Sequence, residues 1–542
     1  MAISPPDVAA RVDRLPSTGH PLSKGWAAAV GVLVVAGMVL AVVLDHGRAW
    51  VTPDGATYLG VANNLAHGHG LTSPFRNTLN TFSATPSTTV PFVHWPPGYP
   101  VVLALFVVVG TPPLVAAELV NVLAVGALIW LAAAIAWCLT CRPIPMLVLA
   151  GVVTASVTVV ELSRYALSDL AFLALCAGLL LAALRTLQGR PRALWAMTIV
   201  VCAAELVRWA GVALLVVAVV AALLAGRRRD AAWVAAIPLA IAVAWQAVLL
   251  GTAGHGTRSL VWHPPLNASG LVRGIAVLFA PAASSSRWEM VLGISVLAVF
   301  ALLAVLALLA LRSRSDPFRI VLITFLGSYG VVLIFSRLLV DAEIPWDLRI
   351  LAPIYLATLL LLFDIACTGA VVGRHADADA DAAATIATAT RPGRRWAAPA
   401  AVAALCALVL GQLWSWPSLM AQASTPQSLS APYWQQMPMG ALAASLRPYR
   451  TVASNHPDVV SFWLGRSALT LPDRVDPITT VANHHITDQL QALSKTLDGD
   501  GALVLFVDPS NPRTYLVAGQ SVVAACGLHL VASFNGAAVY AH

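Results

Sequence analysis

Charged residues make up only 11% of this 542-residue chain, where a soluble domain carries roughly 25%. Lysine is nearly missing: Lys24 is the only one before the C-terminal tail. The seven cysteines (138, 141, 176, 202, 367, 406 and 526) lie mostly in or beside apolar runs. Cys138-x-x-Cys141 has no second pair and no histidine near it, so it reads as structural and implies neither a disulfide framework nor a zinc site. The first long apolar run, from about Trp26 to Leu44, exceeds a signal-peptide core and is followed by no small-residue cleavage site, so it reads as an uncleaved span. Net charge is +7 and the pI about 9.2, yet there is no basic patch interleaved with aromatics, so nucleic acid is not an expected partner. Internal repeats, the mark of many transporters, are also missing.

What is present is apolar surface. Hydrophobic types reach 59% and the mean hydropathy is +0.79. No soluble fold of this length could bury so much of it. Apolar runs near the 20 residues needed to cross hydrocarbon recur at 26–45, 115–138, 144–160, 169–187, 193–207, 211–226, 231–251, 290–311, 319–337, 349–372 and 396–416. This predicts a polytopic α-helical membrane protein with about eleven transmembrane helices. With residues 1–25 as a cytoplasmic tail, the inside segments hold seventeen of the 32 basic residues and the outside loops between spans nine, in keeping with the positive-inside rule. The division of 193–226 at Arg208-Trp209 matters most, because one long helix there would turn every later Arg-rich loop outward.

Three segments between spans stand out. The loop 46–96 is long, polar and outside. The loop 252–289 is also outside and has an amphipathic stretch after Leu271. The linker 374–395 contains an Ala-Asp repeat and is expected to be disordered. Beyond the membrane unit, 26–416, strand-like and helical patterns alternate through 417–542. Strands are expected at Thr451–Ala453, Ser467–Leu471 and Ala502–Val507, helices at Pro457–Leu464, Ile486–Leu497 and near Tyr515–Ala525. A hairpin from Leu528–Ser533 and Ala537–Ala541 closes a small extracytoplasmic α/β domain.

Ionisable groups at membrane depth cost roughly 2.5–3.5 kcal/mol each on insertion scales. In the predicted topology they gather at one face. Asp54 opens the first loop in Asp54-Gly55-Ala56-Thr57-Tyr58, ahead of an amphipathic helix ending at Ala66. Taken alone, Asp54 reads equally well as a helix N-cap. His67 and His69 follow, and match no strong zinc spacing. The loop closes with His94-Trp95-Pro96-Pro97-Gly98-Tyr99-Pro100, a proline-stiffened turn into an apolar helix too short to span. The second outside loop holds Glu161, Arg164 and Asp169. Arg208 marks the next outside turn, and Arg337, Asp341, Glu343, Asp347 and Arg349 lie near the outer ends of the later spans. Carboxylates can take a proton from an acceptor hydroxyl, and arginine forks can stabilise a departing phosphate. A donor anchored in lipid would reach such a site through the bilayer.

These residues, in this order, resemble the GT-C superfamily of integral membrane glycosyltransferases, in particular the family 39 protein-mannosyltransferase-like group. The similar segments are Asp54–Leu59, His94–Pro100, Arg164–Asp169 and Asp347–Pro353, within residues 26–360. Asn455-His456-Pro457-Asp458 and Leu464-Gly465-Arg466 resemble the tails of bacterial relatives, less specifically. Two departures stand out: Gly55 follows Asp54 where many members carry Glu, and the tail is not a β-trefoil. The resemblance implies transfer of a sugar from a polyprenyl-phosphate donor to a glycan or glycolipid acceptor of the cell envelope, by inversion, at the outer face of the plasma membrane. The composition, rich in Ala and Val, suits a GC-rich bacterium, which makes mannose or arabinose the expected sugars. Asp54 is then the expected base. Asp169 would position the acceptor or, with Asp54, hold a divalent metal such as Mg or Mn. Arg164, Arg208 and Arg349 are expected at the lipid phosphate, and Tyr58, His94 and Tyr99 at the substrate. The competing reading, a lipid or glycan transporter or flippase, predicts midplane charges and paired broken helices instead.

Overall fold

The computed structural model describes residues 22–44, 49–75, 90–251, 262, 268–279, 316–341, 344–378, 393–423, 427–476, 481–508 and 512–542. The expected span at 290–311 lies outside these residues, as do residues 1–21, most of the loop 252–289 and residues 379–392 of the linker. The helix that enters that linker runs on to Ala378, and the next begins at Gly393.

Helices match ten of the eleven expected spans. They are α1 (Lys24–Leu44), α4 (Pro113–Thr140), the pair α5 (Pro143–Thr154) and α6 (Val157–Ser163), α7 (Asp169–Leu187), α8 (Pro191–Val207), α9 (Val212–Leu224), α10 (Arg228–Gly251), α12 (Pro317–Leu339), α13 (Leu348–Ala378) and α14 (Gly393–Trp414), while α11 (Ala268–Phe279) is the helix of the loop 252–289. Among the described residues seven are long and apolar enough to cross a membrane, and the α5–α6 pair makes an eighth if counted as one bent span. Proline occupies the first turn of α4, α5, α8 and α12, where its missing N–H is one the helix could not use. Val32, Val35, Val39, Ile199, Leu239 and Val243 are more than half exposed. Such surface suits lipid, and the chain is a multi-pass membrane protein. The division at Arg208 is present: α8 stops there in extended backbone and a short 3-10 turn leads into α9. With 17 and 13 residues, α8 and α9 are shorter than a full crossing.

The break between α5 and α6 bends the chain by 48°. Backbone groups freed in a bilayer need partners from neighbouring elements, and α14 supplies one. The side-chain Oε1 of Gln412 accepts from Ser156 Oγ (3.1 Å), Thr158 N (3.0 Å) and Thr158 Oγ1 (3.3 Å). Trp416 Nε1 donates to Ala155 O at 2.9 Å.

On one end of the bundle lie α2 (Pro53–Ala66), a two-residue ladder of β1 (Thr72–Ser73) and β2 (Val90–Pro91), and the short apolar α3 (Gly98–Val108). α3 packs against α2, α4 and α8. Against this end lies the C-terminal unit. Its mixed sheet has the order β4-β3-β5-β7-β6, from β3 (Thr451–Ser454), β4 (Leu469–Thr470), β5 (Gly501–Phe506), β6 (His529–Phe534) and β7 (Ala537–Ala541). β3 runs parallel to β4 and β5, while β5, β7 and β6 are antiparallel. α18 (Pro457–Leu464), α19 (Ile486–Leu497) and α20 (Gly519–Cys526) connect them, after α15 (Trp416–Ala423), α16 (Pro432–Gln436) and α17 (Met439–Leu446).

This unit shares a core with the membrane part. Val51, Tyr58, Val61, Leu103 and Ala117 are buried in one cluster with Trp434, Val460, Val504 and Val539. Backbone bonds cross the same seam, Leu429 N to Val51 O at 2.9 Å and Ala468 N to Pro74 O at 3.2 Å. α18 lies directly on α2.

Two stability predictions follow from these contacts. Gln412→Ala leaves three buried donors without their acceptor and is expected to lower unfolding stability in detergent by about 1–3 kcal/mol. His456 is buried, and burial together with the Arg513 charge pushes its pKa down from 6.5 to about 2. The folded protein therefore keeps His456 neutral, while the unfolded chain protonates it near pH 6.5. The unfolded state binds more protons below that pH, so stability falls on acidification. Thermal unfolding between pH 6.5 and about pH 5 is expected to show a loss of about 2 kcal/mol, and a His456→Gln variant is expected to lack that dependence.

Candidate active site

Two segments between helices are tied together before any site is formed. Trp50 N donates to Arg164 O at 2.5 Å and Ala166 N to Trp50 O at 2.9 Å. The Arg164 guanidinium lies 3.7 Å above the Trp50 ring. It pairs with Glu161 at 2.8 Å and donates to Gln422 O at 3.2 Å. Its side chain is fully buried and is absent from the cavity described below, so the expected phosphate contact gives way to a brace. Asn121, buried within α4, donates to Ser163 O and Tyr165 O at 2.9 and 2.7 Å. Together these bonds hold residues 161–168 against the start of α2.

That start carries Asp54. The cap of α2 is Thr52, whose Oγ1 accepts from Gly55 N at 3.1 Å. Asp54 is one residue inside the helix, with a side chain 40% exposed, so it is not the cap. Gly55 explains the departure from an acidic pair: a Cβ there would stand 3.0 Å from Ala166 O, tighter than ordinary contact, because the braced loop runs directly over it.

Three helix ends then converge on the middle of α12. α7 begins at Asp169, α8 ends at Arg208, α13 begins beside Arg349 and α12 arrives with Tyr329. Asp169, with a side chain 3% exposed, is in direct ion-pair contact with Arg208. Arg349 Nε stands 3.5 Å from Asp169 and its Nη2 stands 3.8 Å from Asp54. Arg349 thus bridges the two carboxylates. Asp347 accepts from Ile350 N at 3.1 Å, which caps the first turn of α13. Tyr329 Oη donates to Ile350 O at 2.9 Å. Gly98 lets the proline-stiffened turn close on the end of α8, since a Cβ there would fall 2.6 Å from Leu206 O.

Aromatic rings line the side formed by α2. Tyr58 is in ring contact with Phe92, Trp95 and Tyr99 at 6.2, 5.3 and 5.2 Å. Burial pushes the Tyr58 phenol well above its usual range, so it stays protonated. His94 meets Trp95 edge to face at 4.2 Å, and its carbonyl oxygen accepts from Trp209 Nε1 at 3.2 Å. The cavity measures about 400 Å³. Asp54, Tyr58, His94, Asp169, Arg208 and Arg349 all line it. Tyr99 does not: it is 1% exposed and backs Tyr58. His67 and His69 are exposed at the end of α2. Tyr329, Arg513 and Tyr515 also line the cavity and escaped sequence reasoning. Tyr329 lies within an apolar run, and the other two belong to a tail far downstream of Arg349 with no motif of their own.

Asp54 and Asp169 do not suit a shared divalent ion. Arg349 already stands between them and would face the ion with like charge. Among the described residues no three His, Cys, Asp or Glu side chains converge as a metal site.

No family model matches the chain, and the curated proteins give no match. The solved structures do. ArnT from Cupriavidus metallidurans bound to undecaprenyl phosphate superposes with a TM-score of 0.55 at 14% identity, covering 96% of this chain and 98% of that one. Its apo state gives 0.54 at 12% identity, covering 94% and 97%. The chain has the GT-C fold. Coverage of nearly the whole of both chains means that this likeness extends past the GT-C membrane helices to the C-terminal α/β unit.

Asp169→Asn would leave two arginines facing a neutral amide in a mostly buried setting. It is expected to cost about 3–5 kcal/mol, measured by thermal unfolding in detergent. Gly98→Ala must move the backbone that carries Arg208, and is expected to cost about 1–3 kcal/mol in the same assay.

Proposed function

We propose that this protein is a membrane glycosyltransferase that moves a sugar from a polyprenyl-phosphate carrier to an acceptor at the outer face of the plasma membrane. The observation that carries this reading is one arrangement: a half-exposed carboxylate, Asp54, linked through Arg349 to the buried Asp169–Arg208 pair, around a cavity at one end of a lipid-embedded bundle. A GT-C protein of the same fold is known bound to undecaprenyl phosphate, which supports a lipid phosphate as the donor's carrier.

The chemistry is a single inverting displacement. An acceptor hydroxyl attacks the anomeric carbon, and Asp54 takes its proton. The bond from that carbon to the phosphate oxygen breaks, and its electron pair leaves with the polyprenyl phosphate. Asp54 is suited to the base because it is the more open carboxylate. Asp169, held by two arginines, orients them and helps to position the acceptor. Arg349 and Arg208 stabilise the charge on the departing phosphate. The 3.8 Å contact between Arg349 and Asp54 is the longest in the cluster and the one an arriving phosphate would replace, which releases Asp54 for proton transfer. Tyr58 and His94 contact sugar or phosphate from the aromatic side. Mannose or arabinose, and a cell-envelope glycan or glycolipid, are the expected sugar and acceptor.

The test is transfer of radiolabelled sugar from a panel of polyprenyl-phosphate sugars to membrane-derived acceptors. Asp54→Asn is expected to lower the rate by about 10²- to 10⁴-fold with an unchanged melting temperature. A folded Asp54→Asn protein with full activity removes Asp54 from the role of base.

A further inference from the structure

Arg513 reaches the cavity from the C-terminal unit, and its surroundings differ from those of the other two arginines. Arg208 and Arg349 face carboxylates that line the cavity with them. The partner of Arg513 lies behind it: Asp458, 1% exposed, accepts from Nη2 at 2.6 Å, and Asn455 O accepts from Nη1 at 3.2 Å. Its Nε has no hydrogen-bond partner, although the side chain is only 7% exposed. Asp508 also lies near it, on the same unit. The positive charge that Arg513 presents to the cavity is therefore balanced from its own unit, not by a cavity carboxylate. Its backbone adopts φ 43°, a left-handed conformation uncommon for a non-glycine residue.

The segment Asn455-His456-Pro457-Asp458 is the mount. The Asn455 side chain bonds Phe506 in both directions, at 2.8 Å each. His456 packs between the rings of Trp434 and Phe506. Pro457 starts α18, which lies on α2, the helix that carries Asp54. Arg513 is thereby fixed relative to Asp54.

We propose that Arg513 is a substrate-binding residue of this cavity, one that receives an oxyanion, phosphate or carboxylate, from either the lipid carrier or an acidic acceptor. This rests on the transferase reading above and assigns the C-terminal unit a direct part in it. Tyr515, on the same wall, borders the same group.

Binding of decaprenyl phosphate in detergent and the acceptor KM at saturating donor separate the two sources. Arg513→Gln is expected to weaken one of them by about 10- to 100-fold: the first if the oxyanion belongs to the carrier, the second if it belongs to the acceptor. Because this variant strands Asp458, the double variant Arg513→Gln/Asp458→Asn removes the buried pair as a neutral unit. Its melting temperature is expected to return toward wild type while the affinity stays lost. A double variant with wild-type affinity for both ligands makes Arg513 a structural brace and overturns the proposal. If the wild type transfers no sugar from any donor, the transferase reading fails by itself. Decaprenyl phosphate binding then decides Arg513 alone, and equal binding by wild type and double variant overturns it.

Discussion

The carboxylate of Asp169 organises one end of this molecule. It is almost fully buried where a membrane helix begins, and two guanidinium groups from two other helices close on it. A lone charge there would be expensive, so each of the three groups is tolerable only because the others are present. The same requirement fixes the geometry. Arg208 must come from the break between α8 and α9, and Arg349 from the first turn of α13, so these ends are drawn to one point. Asp54 joins through Arg349 at longer range and greater exposure. One carboxylate is thus held in place and the other is left open to the cavity.

The rest of the architecture serves to keep those helix ends in position. Glycines allow close approach: Gly55 lies under the Ala166 carbonyl and Gly98 against that of Leu206. Arg164 is used as internal scaffolding, its charge neutralised by Glu161 and its flat face covered by Trp50. The bend between α5 and α6 is satisfied by Gln412, 254 residues beyond Thr158. The C-terminal unit is bound by a common apolar core as well as by backbone hydrogen bonds, so it acts as a wall of the cavity and not as a tethered appendage.

Much of this was legible in the sequence because it depends on short-range rules. Apolar runs of bilayer length, proline at helix starts and arginine bias between runs located the helices within a few residues. The C-terminal elements Pro457–Leu464 and Ile486–Leu497 coincide with their expected bounds, since strand and helix periodicities there are undiluted by lipid-facing apolarity. Asp54, Asp169, Arg208 and Arg349 were visible as charges at one topological face. Arg164 and Tyr99 were visible by the same logic, yet face other partners. Sequence distance from a membrane boundary says how deep a side chain lies, but not which way round its helix or loop it points.

What the sequence alone determined is therefore the solvent: a polytopic membrane protein, with its polar groups at one face and an α/β tail. Hydropathy is a property of each segment by itself, and it needs no knowledge of neighbours. What only the tertiary structure decided is the pairing. Which arginine meets which carboxylate, and that Arg513 of the tail enters the same cavity as Asp54, depend on contacts between segments far apart in the chain. Those contacts are selected by the burial of charge and the close fit of backbone on glycine, and both come into being only when the helices pack.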